Sequence, residues 1–127
     1  MRRQHSNNRQ QLPLRVLVVE DQMIVALQLE SMLRDAGCDV VGPVGTVHAA
    51  MSRAKDEPLD AAILDVNLDG EKVFLVAETL QQRGIPIAFA TGYAEEAIPQ
   101  HWRAIPRLTK PFQAWQLRKV VSQLTRG

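Results

Sequence analysis

The stretch Ala61-Ala62-Ile63-Leu64-Asp65 constrains this chain more than any other. Four small or apolar residues run straight into a carboxylate, and Asn67, Asp69 and Gly70 supply turn chemistry at once. A short, uniformly apolar run bounded by turn residues predicts a strand buried on both faces, as in the middle of a parallel sheet. Asp65 then stands at the carboxyl end of that strand, where open α/β sheets place their ligands. It is either a paired structural acid or the reacting group of a site.

The pattern recurs along the chain. Residues 14–19 are a β-branched and leucine run ending in Glu20-Asp21, a first buried strand. Residues 22–36 change to helical spacing, with Val25, Leu29, Met32, Leu33 and Ala36 on one stripe and Gly37 as the stop. Met23, Ile24 and Leu27 fall off that stripe, which makes them either a wider buried face or a partner-binding patch. Residues 39–44 form a second strand, and its Gly42 and Pro43 suit an edge. Thr46 is the expected N-cap of a helix through Lys55, with Val47, Ala50, Met51 and Ala54 facing inward, and Glu57-Pro58 closes it. Residues 72–83 carry a helical stripe of Val73, Val76, Ala77 and Leu80, stopped by Gly84. Residues 85–90 are a further apolar strand delivering Thr91-Gly92-Tyr93. Residues 94–98 allow only a short helix before Pro99. Residues 105–109 make a last strand before Lys110-Pro111-Phe112, and Leu117, Val120, Val121 and Leu124 mark the final helix. Alternating strands and helices predict right-handed crossovers and a single doubly wound, five-stranded parallel sheet.

Composition removes several function classes. The 127 residues suit one domain, and a net charge of +1 leaves no strong footprint for nucleic acid or an anionic membrane. Cys38 is the only cysteine, which excludes a disulfide framework and points to a reducing, cytoplasmic setting. No apolar run approaches the roughly 20 residues that span a bilayer. Residues 1–11 are polar, include Arg2, Arg3 and Arg9, and read as a disordered arm before a domain of residues 12–127.

In a parallel sheet the strand ends share one rim. Glu20 and Asp21, Asp65, Thr91 and Lys110 therefore meet there. Three close carboxylates raise one another's pKa unless a cation neutralises them. Hard oxygen ligands without cysteine or histidine suit Mg²⁺, which leaves room for a phosphate oxygen. Lys110 supplies a point charge for a second phosphate oxygen and Thr91 a hydroxyl for a third. Asp65 is then set for in-line attack on phosphorus, giving an aspartyl phosphate. Each residue alone is weak evidence, but the conjunction is specific.

With those residues assembled, the chain resembles a receiver domain of two-component response regulators over residues 14–124. The resemblance implies a flavodoxin-like fold with strand order 2-1-3-4-5. It makes Asp65 the phospho-acceptor, Asp21 a direct Mg²⁺ ligand, Glu20 a ligand through water, and the Asn67 carbonyl the last protein ligand. It gives Thr91 and Lys110 to the phosphoryl group and implies a cis Lys110-Pro111 bond, with Phe112 completing the Lys-Pro-Phe pattern. The segment Phe89-Ala90-Thr91-Gly92-Tyr93 is similar to stand-alone receivers, mostly alphaproteobacterial, with a Phe-Ala-Thr-Gly-x-Tyr-like signature; here Tyr93 follows Gly92 directly. Arg107 occupies the position of the family's switch aromatic, three residues before the lysine, and Pro99 breaks the fourth helix into a short, atypical one. Both departures unsettle the usual switch and output face. Tyr93 is then either the relay or a packed loop aromatic.

The implied partner is a histidine kinase or a histidine phosphotransfer protein, docking near Met23, Ile24, Leu27 and the Pro111-Phe112 loop. No output domain is expected after Gly127, so the signal would pass by protein contact, through a relay, or into a phosphate sink. The chain would act as a monomer or a phosphorylation-dependent dimer. Two alternatives stand beside this reading. One is a receiver-fold binding module that is never phosphorylated. The other is a haloacid-dehalogenase-like phosphatase, which needs an acid where Asn67 stands and an acidic pair after Lys110. An EF-hand reading of residues 65–76 fails because Val76 replaces the closing glutamate. His48 and His101 read as surface residues, Cys38 as an inert small hydrophobe, and Trp102 and Trp115 as core or partial core.

Overall fold

The computed structural model describes residues 13–92 and 98–125. Along the chain run β1 (Arg15–Val19), α1 (Met23–Asp35), β2 (Asp39–Val44), α2 (Val47–Asp56) and β3 (Ala61–Asp65). A two-strand hairpin of β4 (Asn67–Leu68) and β5 (Glu71–Lys72) follows, then α3 (Phe74–Gln82) and β6 (Ile87–Thr91). A 3₁₀ turn (Gln100–Trp102), β7 (Arg107–Thr109) and α4 (Ala114–Thr125) complete it. The main sheet has five parallel strands in the order β2-β1-β3-β6-β7, the doubly wound order expected with β6 and β7 as its fourth and fifth strands.

Period-2 alternation divides the strands between two cores. Val16, Val18, Ala61, Ile63, Ala88 and Ala90 point to the side covered by α1 and α4, where Leu29, Leu33, Leu117 and Val120 pack. Leu17, Val19, Ala62, Leu64, Ile87 and Phe89 point to the side covered by α2 and α3. All five residues of β3 are buried, including its terminal acid. On the α3 side, Phe74, Phe89 and Trp102 pack as a trio with ring centroids 5.7 to 5.9 Å apart. That trio seats the 3₁₀ turn against the sheet.

Helix ends follow local chemistry. Thr46 Oγ1 accepts the Ala49 N–H at 3.0 Å and caps α2. Gly37, at φ +89, ends α1 with the Cys38 N–H on the Leu33 carbonyl at 2.9 Å and the Gly37 N–H on Arg34, a Schellman closure. In β2, the edge strand, Gly42 sits at φ +98 beside a register shift between Leu17 and Val19. A Cβ there would lie 2.9 Å from Val44 N and 3.0 Å from Val18 O, so only glycine fits. Pairing resumes where the Glu20 N–H meets the Val44 carbonyl at 2.9 Å, which fixes the first acid at the rim.

Several expectations need correction. The α1 stripe holds at Val25, Leu29, Met32 and Leu33, which pack on the α1–α4 core, but it takes in Ala26 and ends before Ala36, which is the exposed C-cap. Lys72 lies in β5 rather than in a helix, because the segment after Asp65 pairs with itself before α3 begins. Trp102 is buried as expected, but Trp115 is 55% exposed, since α4 turns its Leu117–Val120–Leu124 stripe inward and leaves that ring outside. His48 and His101 are exposed, and Cys38 is buried. The polar arm at residues 1–11, the loop residue Tyr93 and most of the short helix expected at residues 94–98 lie outside the described residues.

Candidate functional site

Four strand ends build one acidic rim. β1 delivers Glu20 and Asp21, β3 delivers Asp65, β6 delivers Thr91, and Lys110 follows β7. Carboxylate oxygens of Glu20, Asp21 and Asp65 lie within 4.8 Å of one another. Glu20 and Asp65 are buried and Asp21 is exposed, so the cluster opens to solvent on the Asp21 side. Lys110 Nζ reaches in to 2.8 Å from Glu20 Oε1 and 3.4 Å from Asp65 Oδ2. The Gln22 N–H donates to Glu20 Oε2 at 3.1 Å and the Asn67 N–H to Asp65 Oδ1 at 3.2 Å. The Thr91 hydroxyl is buried and, among the described residues, has no hydrogen-bond partner. Its backbone is held by the Lys110 N–H on the Thr91 carbonyl at 2.7 Å.

These positions perturb Asp65. Burial first, then the hydrogen bond and charge of Glu20, push its carboxyl up to about 7, against pulls downward from Lys110 and the Asn67 N–H. One ammonium does not balance three carboxylates. An all-oxygen set that raises its own proton affinity fits a hard divalent cation, and a buried hydroxyl without a partner fits an added oxygen ligand beside it. The residues present therefore suit Mg²⁺.

The structure brings Glu20, Asp21, Asp65, Asn67, Thr91 and Lys110 to one rim, as the sequence predicts. The Lys110-Pro111 bond is cis. Arg107 is half-buried on β7 with Nη2 3.5 Å from the Arg103 carbonyl. Met23, Ile24 and Leu27 stand exposed on α1, at 75%, 74% and 57%, while Phe112 packs half-buried against the α1–α4 core. Ile24 and Leu27 line a shallow apolar groove with Gln28, Ser31 and Met32. Two features escaped the sequence reading. The lysine pairs first with Glu20, a contact between distant strand ends that leaves no local signal. The hairpin after Asp65 does have one, the Asp69-Gly70 dipeptide between Leu68 and Glu71.

Comparison with known proteins agrees with this geometry. The family model described as the response regulator receiver domain matches residues 16–122. The sensory transduction protein LytT of Bacillus subtilis is 30% identical over 114 residues, covering 87% of this chain and 47% of LytT. The chain thus spans about half the length of the curated relatives it matches. SdrG of Sphingomonas melonis Fr1 superposes with a TM-score of 0.82 at 41% identity, over 89% of this chain and 97% of that one. A BeF3-activated conformation of SdrG matches with a TM-score of 0.76 at 40% identity, over 87% and 95% of the two chains. The receiver domain of the sensor histidine kinase PA1611 from Pseudomonas aeruginosa, which holds a magnesium ion in its active-site cleft, shares the fold. Its TM-score is 0.75 at 23% identity, over 91% and 99%. Among the described residues no helix is long and apolar enough to cross a membrane.

Proposed function

The chain belongs to the response regulator receiver family, and from that premise we propose that it accepts a phosphoryl group from a phosphohistidine onto Asp65. Receiver domains are signalling domains that work with histidine kinases and phosphotransfer proteins. The donor here is one of those proteins, in the cytoplasm, and the receiver unit is residues 12–127. Asp21, Asp65 and the Asn67 carbonyl would hold Mg²⁺, with Glu20 acting on it through water. When bound there, Mg²⁺ would offset the clustered negative charge, favour the ionised Asp65 and neutralise charge on the phosphoryl oxygens.

This chain's own residues do the rest. An Asp65 carboxylate oxygen attacks phosphorus in line. The P–N bond to the donor imidazole breaks and its electron pair stays on that ring nitrogen, while a proton carried on the other ring nitrogen leaves the released imidazole neutral. Lys110 Nζ, 3.4 Å from Asp65 Oδ2, pairs with one phosphoryl oxygen, and the Thr91 hydroxyl donates to another. The buried Thr91 hydroxyl, without a partner among the described residues, carries the reading. A structural acid cluster has no use for it, whereas a phosphoryl oxygen at Asp65 satisfies it. The exposed Met23, Ile24 and Leu27 with the Pro111-Phe112 loop form the donor's docking face. The new dianion then biases the loops that follow β6 and β7, with Tyr93 and Arg107 in place of the family's aromatic switch. The output is a protein contact, a relay step or a phosphate sink.

The test is intact-protein mass after incubation with Mg²⁺ and acetyl phosphate. One phosphoryl adduct on the wild type, labile to hydroxylamine and missing in Asp65→Ala, is the expected result. No adduct from acetyl phosphate or from purified histidine kinases, together with no Mg²⁺ binding, would leave an unphosphorylated receiver-fold binding module.

A further inference from the structure

The hairpin behind Asp65 has a register that bears on the metal site. β4 and β5 pair Asn67 with Lys72 and Leu68 with Glu71. At its base the Val73 N–H meets the Val66 carbonyl at 3.0 Å, so Val66 and Val73 form a hydrogen-bonded rung. Rungs alternate in an antiparallel ladder, and Asn67–Lys72 is therefore a rung whose N–H and C=O groups point away from the partner strand. The Asn67 N–H does so, donating to Asp65 Oδ1 at 3.2 Å. In an extended residue the carbonyl leaves the same edge as the N–H, which turns the Asn67 carbonyl toward the acids. A slip of one residue would move that carbonyl into the ladder.

The register is held at both ends. Val66, Leu68 and Val73 are buried and anchor the hairpin to the α3-side core. At the tip, Asp69 has φ +49 and Gly70 φ +90, the two positive values that a type I′ connection requires. A Cβ at Gly70 would meet nothing within 4 Å, so only the backbone conformation opposes a side chain there.

We propose that Asp69 and Gly70 are positioning residues: their turn holds the Asn67 carbonyl toward the acidic cluster and thereby sets Mg²⁺ affinity, although neither residue touches the ion. This inference rests on the Mg²⁺-dependent receiver reading. A side chain at Gly70 raises the energy of the turn, lowers the fraction of molecules with the hairpin closed, and weakens the apparent affinity by that fraction.

The experiment titrates Mg²⁺ into the full chain, following the backbone amide resonances around Asn67, with the urea midpoint in EDTA as the measure of global folding. Asp69→Asn should bind as the wild type does, because Asn-Gly suits the same turn. Gly70→Ala should weaken the Mg²⁺ Kd about threefold and Gly70→Val about tenfold or more, a β-branched residue being the worse at positive φ. The EDTA midpoint of Gly70→Ala should fall far less than its affinity. An unchanged Kd in both Gly70 variants would overturn the role of the hairpin while leaving the receiver reading in place. No Mg²⁺ binding by the wild type would overturn both. Binding that is lost in Asp21→Ala separates the two cases.

Discussion

Replacing Asp65 by asparagine should stabilise the metal-free protein at neutral pH, although it removes the proposed phospho-acceptor. The Asp65 carboxyl stands at about 7 in the folded chain against an ordinary 3.8, so ionising it is harder in the native state than in the unfolded one. Below pH 4 the acid is protonated in both states and contributes no pH-dependent term. Between pH 4 and 7 the unfolded chain has already released its proton while the native one retains it. The native state then binds more protons, and stability falls as pH rises through that window. Above pH 7 the loss is complete. The difference between those two pKa values would correspond to about 4 kcal/mol as an upper bound. Solvent access on the Asp21 side screens part of it and leaves about 2 kcal/mol.

The measurement is urea unfolding of wild type and Asp65→Asn at pH 4.5 and pH 8, in EDTA and in saturating Mg²⁺. In EDTA the variant should be more stable by about 2 kcal/mol at pH 8 and by about 1 kcal/mol at pH 4.5. Mg²⁺ should raise the wild type at pH 8 and close the gap, because on the proposed reading it would bind the native acid cluster and the variant would lack one ligand. A variant less stable than the wild type at pH 8 in EDTA would refute the argument. So would an advantage of the same size at both pH values.

Two further outcomes are expected. Ile24→Glu and Leu27→Glu, on the exposed face of α1, should slow phosphoryl transfer from the cognate kinase at least tenfold, a loss of about 1.4 kcal/mol, while leaving acetyl phosphate labelling and the urea midpoint unchanged. Unchanged transfer rates would remove this face from the docking surface. Thr46→Ala deletes the hydroxyl that caps α2 and should cost about 1 kcal/mol in urea unfolding, with no change in Mg²⁺ affinity.

The residues that built the site were legible because each is punctuated locally. β1, β3 and β6 are runs of buried side chains that stop at Glu20, Asp65 and Thr91. A parallel sheet aligns such ends without further information, so chain order and hydrophobic pattern sufficed to gather them at one rim. The helix signals at Thr46, Gly37 and Gly84 were equally local, each a single residue meeting the backbone beside it.

Other features depended on the sheet being formed. Which of the three acids Lys110 approaches first is set by the juxtaposition of β7 with β1 across two intervening strands, and distance in the sequence says nothing of it. The exposure of Trp115 follows from how α4 rolls onto the sheet, because a stripe of Leu117, Val120 and Leu124 fixes the inward face and leaves the remaining apolar residues to either side. The pKa of Asp65 is likewise a tertiary quantity. A carboxylate at a strand end acquires it only when burial removes water and Glu20 arrives from another strand. Sequence by itself determined which residues stand at the strand ends that make the rim. Only the folded sheet decided how near their charges lie, since Coulomb and desolvation energies depend on distance and solvent access rather than on order along the chain.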